Sequence, residues 1–366
     1  MVSTKGRAVV GMSGGVDSSV AALLLQRAGY EVVGATMRIY SGATRRGRGI
    51  DSCYGPNEQA DVEEAARVCS QLGIRHYEVD LREEYRALVL EYARGEYLAG
   101  RTPNPCIRCN QRVKFGFLFE RLCATSDLEL DYFATGHYCR VEPSPVQGRF
   151  ALRRAVDPAK DQSYFLCMLD QGQLARTLFP LGSLTKAQVR EMAREAGLPN
   201  HDRPESQDFA AGGYRDALDV PAREGPITNG SGKVLGKHPG IWGYTIGQRR
   251  GLGIGGTEPL YVTRLDAATN TVVAGPDAEL YRTELLAREM NWVSIHPPTE
   301  PLHLGVKIRY RNEEAPATIY PIVGPGASRS AAVRVVFDEP QRAIARGQWA
   351  VIYDGDLVVG GGVIEE

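Results

Sequence analysis

The sequence lacks the features that would point to a membrane or to the cell exterior. Its longest early apolar run, residues 20–25, is too short to cross a bilayer. The N-terminus leads into a strand-like segment without a signal-peptide pattern. Cysteine is scarce, with seven in 366 residues, and all seven lie in the first half. An odd, small number of cysteines does not fit a secreted disulfide scaffold, so we expect a cytoplasmic protein.

An excess of charge of one sign is also missing. The formal net charge is −1, while hydrophobic residues make up 43% of the chain and charged residues 24%. These values are ordinary for a globular protein, and the length predicts two or three domains. A nucleic-acid partner would therefore have to meet local basic patches. The basic runs 45–48 and 307–311 fit phosphate contacts or an ordinary surface.

The chain changes character at about residue 204. Before it, strand and helix patterns alternate, which predicts an α/β fold with a doubly wound parallel sheet. Thr185 is the predicted cap of a helix over residues 186–196. After residue 204, short β-like runs separated by glycine and proline predict small β domains or a barrel. The proline-rich stretch 295–301 is a candidate linker between two of them.

The strongest local motif follows the first predicted strand. Residues 11–19 read Gly-Met-Ser-Gly-Gly-Val-Asp-Ser-Ser and lead into a predicted helix. Glycines let a backbone approach a phosphate closely, and a helix N-terminus offers free N–H groups. The motif lacks the Gly-Lys-Ser/Thr ending of a Walker-type loop. It resembles the loop of ATP pyrophosphatases, which leave an adenylate; the alternative is a tight turn that requires glycine.

A Cys-x-x-Cys pair, Cys106 and Cys109, lies in a loop with two prolines. Four basic residues surround it, and we expect their charge to lower the thiol pKa values: Arg101, Arg108, Arg112 and Lys114. The pair suits a redox couple, half of a zinc site or part of an iron–sulfur site. A four-thiolate zinc site would need two further, scattered cysteines.

Cys53 lies in a second turn-rich loop, which follows the second predicted strand. Loops at the carboxyl ends of parallel strands share one edge of the sheet, so we expect Cys53 to meet Cys106 and Cys109 beside the nucleotide. The alternative for Cys53 is a small buried side chain. The remaining cysteines fall in or beside apolar stretches, and we expect all four in the core: Cys69, Cys123, Cys139 and Cys167.

Several motifs, in one order, resemble those of the bacterial tRNA-specific 2-thiouridylases. The matching stretches are residues 11–18, 100–110, 135–138, 160–166, 245–256 and 309–311. The resemblance implies an ATP-pyrophosphatase domain over 1–203, a central tRNA-binding β-rich domain over 204–283 and a C-terminal β-barrel over 284–366. It also implies that ATP with Mg²⁺ adenylates O2 of the anticodon wobble uridine. A sulfur nucleophile then attacks C2, and AMP leaves, which gives 2-thiouridine.

The same resemblance implies two sets of binding residues. ATP would be held by Gly11, Met12, Ser13, Gly14, Gly15, Val16, Asp17, Ser18, Met37 and Gly136. The tRNA would be contacted, with its target base flipped out of the stack, by Asn104, Pro105, Cys106, His137, Lys160, Asp161, Gln162, Arg309, Tyr310 and Gln348. Lys160 and Arg309 are alternatively solvated surface charges.

Two positions depart from the family pattern, which is Asn-Pro-Asp-x-x-Cys with a second cysteine downstream. Cys106 stands at the aspartate position, Cys109 at that of the nucleophile, and Ala210 at that of the second cysteine. We hypothesise that Cys53, Cys106 and Cys109 hold a [4Fe-4S] cluster whose fourth iron binds sulfide, as in similar iron–sulfur-dependent thiolases. The alternatives are a metal-free persulfide or disulfide couple of Cys106 and Cys109, and zinc. The sulfur donor would be inorganic sulfide or a persulfide-carrying protein.

Two other classes of function share parts of this sequence pattern. ATP-dependent amide ligases for small metabolites have a similar phosphate loop, but they do not explain the Cys-x-x-Cys loop or the C-terminal β domain. A homologue that binds tRNA and nucleotide without thiolation would explain Ala210. An amide ligase would turn over ATP only with a small acid and would ignore tRNA. A non-thiolating homologue would bind tRNA and form no AMP.

Overall fold

The structure is a computed structural model that describes residues 5–42, 52–125, 128–144, 146, 148–204, 208–210, 218–255, 258–322 and 331–366. The chain divides into two compact units. The first unit comprises Met1–Leu90, Cys106–Ala217 and Asp356–Val358, and the second comprises Glu91–Pro105, Leu218–Gly355 and Val359–Glu366. Within the described ranges, no helix is both long and apolar enough to span a membrane.

The first unit is built on a five-stranded parallel sheet. Its strands, in spatial order, are β4 (His76–Asp80), β2 (Glu31–Arg38), β1 (Arg7–Gly11), β5 (Tyr132–Ala134) and β8 (Thr177–Leu178). The apolar residues of β1 are completely buried, as a central parallel strand covered on both faces requires. Two smaller pairs complete the unit: β3 (Ser52–Tyr54) with β9 (Asp208–Ala210), and β6 (Cys139–Pro143) with β7 (Phe150–Arg154). The predicted parallel α/β fold is confirmed.

Helices connect and cover these strands. The α-helices are α1 (Val16–Arg27), α2 (Glu58–Leu72), α3 (Arg82–Tyr85), α4 (Glu91–Leu98), α5 (Pro105–Arg108), α6 (Phe119–Thr125), α7 (Gln171–Leu174) and α8 (Lys186–Glu195). Two π-helical segments cover Arg86–Leu90 and Cys109–Leu118, and 3₁₀ turns cover Ser163–Leu166, Ile241–Gly243 and Asp277–Leu280. Thr185 caps α8 in a reciprocal capping box with Gln188, which confirms the predicted helix start.

Three of the four cysteines expected in the core are buried. Cys69, Cys139 and Cys167 are fully inaccessible to solvent. Cys123 is exposed on α6, so that prediction is wrong. It lies beside the apolar stripe of its helix and not on it; its neighbour Leu122 fills the buried position instead.

The second unit contains a small sheet and a closed barrel. The sheet has the order β11 (Val234–His238), β10 (Gly225–Thr228), β13 (Thr271–Gly275) and β12 (Tyr261–Asp266). The barrel has the order β14 (Tyr281–Trp292), β17 (Ala332–Arg342), β16 (Ala315–Ile322), β15 (Leu302–Lys307), β18 (Trp349–Asp354) and β19 (Leu357–Ile364), and β14 pairs with β19 to close it. The predicted C-terminal barrel is confirmed.

The proline-rich stretch 295–301 is not a linker between domains. It joins β14 to β15, and both of these strands belong to the barrel. Proline cannot donate a ladder hydrogen bond, so a proline cluster ends a strand as readily as it separates domains. The composition of the stretch correctly predicts a break in regular structure, but the break lies within the barrel and not between two domains.

Candidate functional site

The phosphate loop, residues 11–19, leaves the carboxyl end of β1 and enters α1. Gly14 has a left-handed φ of +72°, and a Cβ there would lie 2.7 Å from the carbonyl oxygen of Asp61. The Ser18 hydroxyl donates to the Gly15 carbonyl at 3.0 Å and accepts from the Ser13 N–H at 3.2 Å. The loop is therefore tightly wound around its own hydroxyl groups. The first N–H groups of α1 have no intrahelical acceptor and suit an anion.

Asn200 and Arg203, which follow α8 in the chain, hold the phosphate loop in place through side-chain hydrogen bonds. Asn200, which is 4% exposed, donates to the Gly14 carbonyl at 2.8 Å and to the Ser19 hydroxyl at 2.9 Å. Arg203 donates to the same carbonyl at 3.2 Å and forms an ion pair with Asp61. Sequence reasoning missed both residues. Their only local signal is a polar pair placed directly after a helix stop.

Gly136 packs on the other side of the helix start. A Cβ at this position would lie 2.7 Å from both the carbonyl carbon of Asp17 and the backbone nitrogen of Ser18. Backbone atoms cannot give way, so only glycine fits. Met37, the other predicted ATP contact outside the loop, lies half-buried in β2, the strand next to β1.

The cysteine centre combines three thiols that are distant in the sequence. Cys106 lies on α5, Cys109 begins the following π-helical segment, and Cys53 lies on β3. Burial raises the pKa of Tyr85, and each of the three thiols would add to the increase when ionised, so all three lie within electrostatic range of its hydroxyl. The expected convergence of these cysteines in one region is therefore consistent with the structure. The partner of β3 is β9, whose Ala210 is in register with Tyr54.

Burial keeps the Cys106 and Cys109 thiols protonated. It raises the pKa of Cys106 to about 12 and that of Cys109 to about 11, and the neighbouring Cys53 adds to both effects. Lys114 opposes the increase, but its effect is smaller than that of burial. Lys114 lowers both pKa values, as expected of a basic neighbour, but the expected net decrease is wrong, because loss of water disfavours the thiolate more than one ammonium favours it. A second expected neighbour, Arg101, forms an ion pair with Glu96.

Lys114 is the cation of the cysteine centre. It follows Cys109 by five residues within one π-helical segment, a spacing that places two residues on the same side of such a helix. Burial alone would lower the pKa of Lys114, but the thiols of Cys109, Cys53 and Cys106, when they ionise, raise it above its ordinary value. Among the residues with described side chains, no group of three or more His, Cys, Asp or Glu is arranged to hold a metal ion.

The predicted tRNA contacts of the first unit have internal partners. Burial, with a smaller effect of Lys114, keeps the pKa of His137 well below 6.5, so its ring is neutral. Its Nδ1 lies 2.7 Å from the Thr135 hydroxyl. Asp161 is 9% exposed and accepts hydrogen bonds from Ala155 N, Ser163 N and Ser163 Oγ. Lys160, next to it, is half-buried.

The predicted tRNA contacts of the second unit also bond within their unit. Gln348 donates to the carbonyl oxygen of Thr102 at 2.8 Å, two residues before Asn104. Arg309 donates to the carbonyl oxygens of Ile246 and Ala343 at 3.0 and 2.7 Å. The ammonium of Lys307 lies 5.5 Å from the centre of the Tyr310 ring. Asn104 is half-buried and Pro105 is buried.

Three sequence families match consecutive parts of this chain. Residues 6–210 match the family described as tRNA methyl transferase HUP domain. Residues 218–276 match the tRNA methyl transferase PRC-barrel domain, and residues 282–364 match the aminomethyltransferase beta-barrel domain. Together they account for both the parallel sheet and the closed barrel.

Relatives named as tRNA-specific 2-thiouridylases match over nearly the whole length. The tRNA-specific 2-thiouridylase MnmA of Endomicrobium trichonymphae is 44% identical over 99% of this chain and 100% of its own. That of Nostoc punctiforme is 44% identical over 98% and 99% of the two chains. That of Trichormus variabilis is 45% identical over 98% and 99%.

Proposed function

This chain belongs to the family of tRNA-specific 2-thiouridylases, and we propose from that membership which of its residues carry out the reaction. The protein is a tRNA sulfurtransferase that uses ATP to form 2-thiouridine. Its identity to such enzymes over the full chain is the observation that carries this conclusion. The role of each side chain is proposed from family membership together with the contacts that the side chain makes.

In the proposed first step, ATP lies on the phosphate loop. The N–H groups at the start of α1 face its phosphates, and the exposed Ser13 hydroxyl donates to them, while the Ser18 hydroxyl holds the loop through its bond to the Gly15 carbonyl. Met37 and Gly136 complete the nucleotide site, together with Mg²⁺ on the phosphates. The O2 atom of the wobble uridine attacks the α-phosphorus, and pyrophosphate leaves. The step is needed because a carbonyl oxygen is a poor leaving group until it carries a phosphoryl group.

In the proposed second step, sulfur replaces the adenylated oxygen at C2 and AMP leaves. Cys109 stands at the position of the nucleophile, and Cys106 replaces the usual acid/base aspartate. With pKa values of about 11 and 12, both thiols must lose their protons before they act as nucleophiles or ligands. The Lys114 ammonium offsets the charge that then develops.

We propose Cys53, Cys106 and Cys109 as ligands of a [4Fe-4S] cluster. The donor chemistry fits, because cysteine thiolates are the usual ligands of such clusters and the three thiols lie within electrostatic range of the half-buried Lys114. The side chains are not arranged as a metal site in this structure, so ligation would require them to turn toward a common point. Such a cluster would supply an iron atom to which sulfide binds. The alternatives are a Cys106–Cys109 persulfide couple and zinc.

The remaining assignments follow the family and stay proposals. The tRNA would meet residues 104–106, His137, residues 160–162, Arg309, Tyr310 and Gln348. Inorganic sulfide or a persulfide-carrying protein would supply the sulfur in the cytoplasm. The domain boundaries after residues 203 and 283 stay proposals.

Thiolation of unmodified tRNA tests the proposed function. We expect 2-thiouridine, AMP and pyrophosphate to form from tRNA, ATP and sulfide under anaerobic conditions. Cys109→Ser and Cys106→Ser should each abolish the product, while the control Cys123→Ser, at an exposed cysteine, should retain it. Turnover of ATP that requires a small acid and ignores tRNA would support an amide ligase. Tight tRNA binding without AMP would support a non-thiolating homologue.

Iron content separates the three sulfur mechanisms. For the cluster, we expect about four irons and matching acid-labile sulfide per chain after anaerobic purification, and a loss of both in Cys53→Ser but not in Cys123→Ser. A metal-free protein that thiolates tRNA with sulfur from a persulfide-carrying protein would contradict the cluster and support the Cys106–Cys109 couple. Stoichiometric zinc would support the third alternative.

A further inference from the structure

One oxygen of Asp17 receives two buried donors. Its Oδ1 accepts a hydrogen bond of 2.8 Å from the Tyr138 hydroxyl and one of 2.7 Å from the Lys186 ammonium. Tyr138 is 2% exposed and Lys186 is 9% exposed. Because Asp17 lies in the first turn of α1, these donors fix the helical end of the phosphate loop. Charge-assisted hydrogen bonds of this kind are among the stronger ones in proteins.

The backbone of Tyr138 is bonded to Gln162. The Gln162 N–H donates to the Tyr138 carbonyl at 2.9 Å, and the Tyr138 N–H donates to Gln162 Oε1 at 3.0 Å. Gln162 belongs to the loop 160–162, which the buried Asp161 carboxylate shapes through its bonds to Ser163. Tyr138 thus joins a proposed tRNA contact to the proposed ATP loop through direct hydrogen bonds at both ends.

We propose that Tyr138 is a positioning residue that couples tRNA binding at residues 160–162 to ATP binding at the phosphate loop. The inference rests on the proposed function, because it takes Gln162 as a tRNA contact. The ring is rigid, so a shift of the Gln162 backbone moves the Tyr138 hydroxyl relative to Asp17. Each ligand then changes the affinity of the other by the same factor. A tyrosine that only fills the core would stabilise the fold and leave the two affinities independent.

The coupling is measured as the ratio of the dissociation constant of an ATP analogue without tRNA to its dissociation constant with saturating tRNA. The probe is a nonhydrolysable analogue, α,β-methylene-ATP, titrated into the full chain with and without saturating unmodified tRNA. We expect tRNA to tighten its binding at least about fivefold. Tyr138→Phe should reduce this ratio to below about twofold, because it loses the bond to Asp17. The control Tyr30→Phe should keep it; the Tyr30 ring packs edge-on against Tyr132, 5.7 Å away, at the same core.

A second pair of variants tests the contact between Gln162 and the Tyr138 backbone. Gln162→Glu keeps an acceptor for the Tyr138 N–H, whereas Gln162→Met removes it. At saturating tRNA, we expect the glutamate variant to retain the coupling ratio. The methionine variant should reduce it, because only the backbone bond from the Gln162 N–H to the Tyr138 carbonyl remains. This pair carries the test if thermal unfolding shows that Tyr138→Phe does not fold.

Two results would overturn the proposal. The first is a ratio near one in the wild-type protein while thiolation is intact. The second is an unchanged, wild-type ratio in both Tyr138→Phe and Gln162→Met. A wild-type protein that binds the analogue but neither binds nor thiolates tRNA would refute the proposed function, and this inference with it.

Discussion

The side-chain amide of Asn200 donates a hydrogen bond of 2.8 Å to the carbonyl oxygen of Gly14, a residue 186 positions earlier in the chain. The same amide nitrogen lies 2.9 Å from the Ser19 hydroxyl. One buried side chain therefore holds the turn of the phosphate loop and the first turn of its helix. The loop conformation depends on a residue that the motif itself does not include.

Asn200→Ala should weaken both the fold and nucleotide binding. It removes two buried hydrogen bonds and leaves the Gly14 carbonyl with the longer bond from Arg203 alone, which costs about 1–3 kcal/mol of unfolding free energy. We also expect a higher dissociation constant for ATP, since the loop is less well held. Urea unfolding and ATP titration measure the two effects. The control Asn57→Ala, at an exposed helix cap without a side-chain bond, should stay within about 0.5 kcal/mol of wild type.

Gly136→Ala should be poorly tolerated. Its Cβ would overlap the backbone of Asp17 and Ser18 at 2.7 Å, and the resulting displacement costs about 1–3 kcal/mol. We expect a lower thermal unfolding midpoint and weaker ATP binding. Gly95→Ala is the matched control, because no atom lies within 4 Å of its Cβ and it sits inside α4. That change should stabilise the protein by about 1 kcal/mol. Unchanged ATP binding in Gly136→Ala would contradict the placement of Gly136 in the nucleotide site.

Arg309→Met should destabilise the second unit even without tRNA. The guanidinium donates to two carbonyl oxygens, of Ile246 and Ala343, and its loss costs about 1.5–3 kcal/mol. Differential scanning calorimetry measures this change directly. Arg311→Met, at an exposed arginine two residues away, should leave the unfolding midpoint unchanged. If only tRNA affinity fell in Arg309→Met, the internal bonds would not contribute to stability.

Acid should destabilise the first unit through His76. Burial lowers the pKa of His76 below its ordinary value of 6.5, and its Nε2 lies 2.8 Å from the Thr36 hydroxyl. As the pH falls below 6.5, the unfolded chain takes up a proton that the folded protein resists. The free energy of unfolding therefore decreases in this range.

His76→Gln should reduce that acid sensitivity. Urea unfolding at a series of pH values from about 7 to 5 measures the free energy of unfolding of variant and wild type. The difference between the two free energies should narrow as the pH falls. His296→Gln, at an exposed histidine between β14 and β15, is the control and should retain the wild-type pH dependence. Equal slopes for all three proteins would contradict the role of His76.

The sequence by itself determined the structural features that depend on residues close together in the chain. The strand, turn and helix around residues 11–19, the parallel sheet and the Thr185 cap follow from periodicity and from local backbone chemistry. Such features are fixed within a few residues, so their signals are local. The resemblance to thiouridylases could be detected for the same reason, because each of its motifs is a short contiguous stretch.

Only the tertiary structure decided which distant groups meet and how deeply they are buried. It brought Asn200, Lys186 and Tyr138 to the phosphate loop, and it placed residues 295–301 inside the barrel. It also reversed the expected direction of the Cys106 and Cys109 pKa shifts, because burial is a property of the folded chain. Hydrogen bonds and desolvation between residues more than a hundred positions apart leave no periodic signal in the sequence.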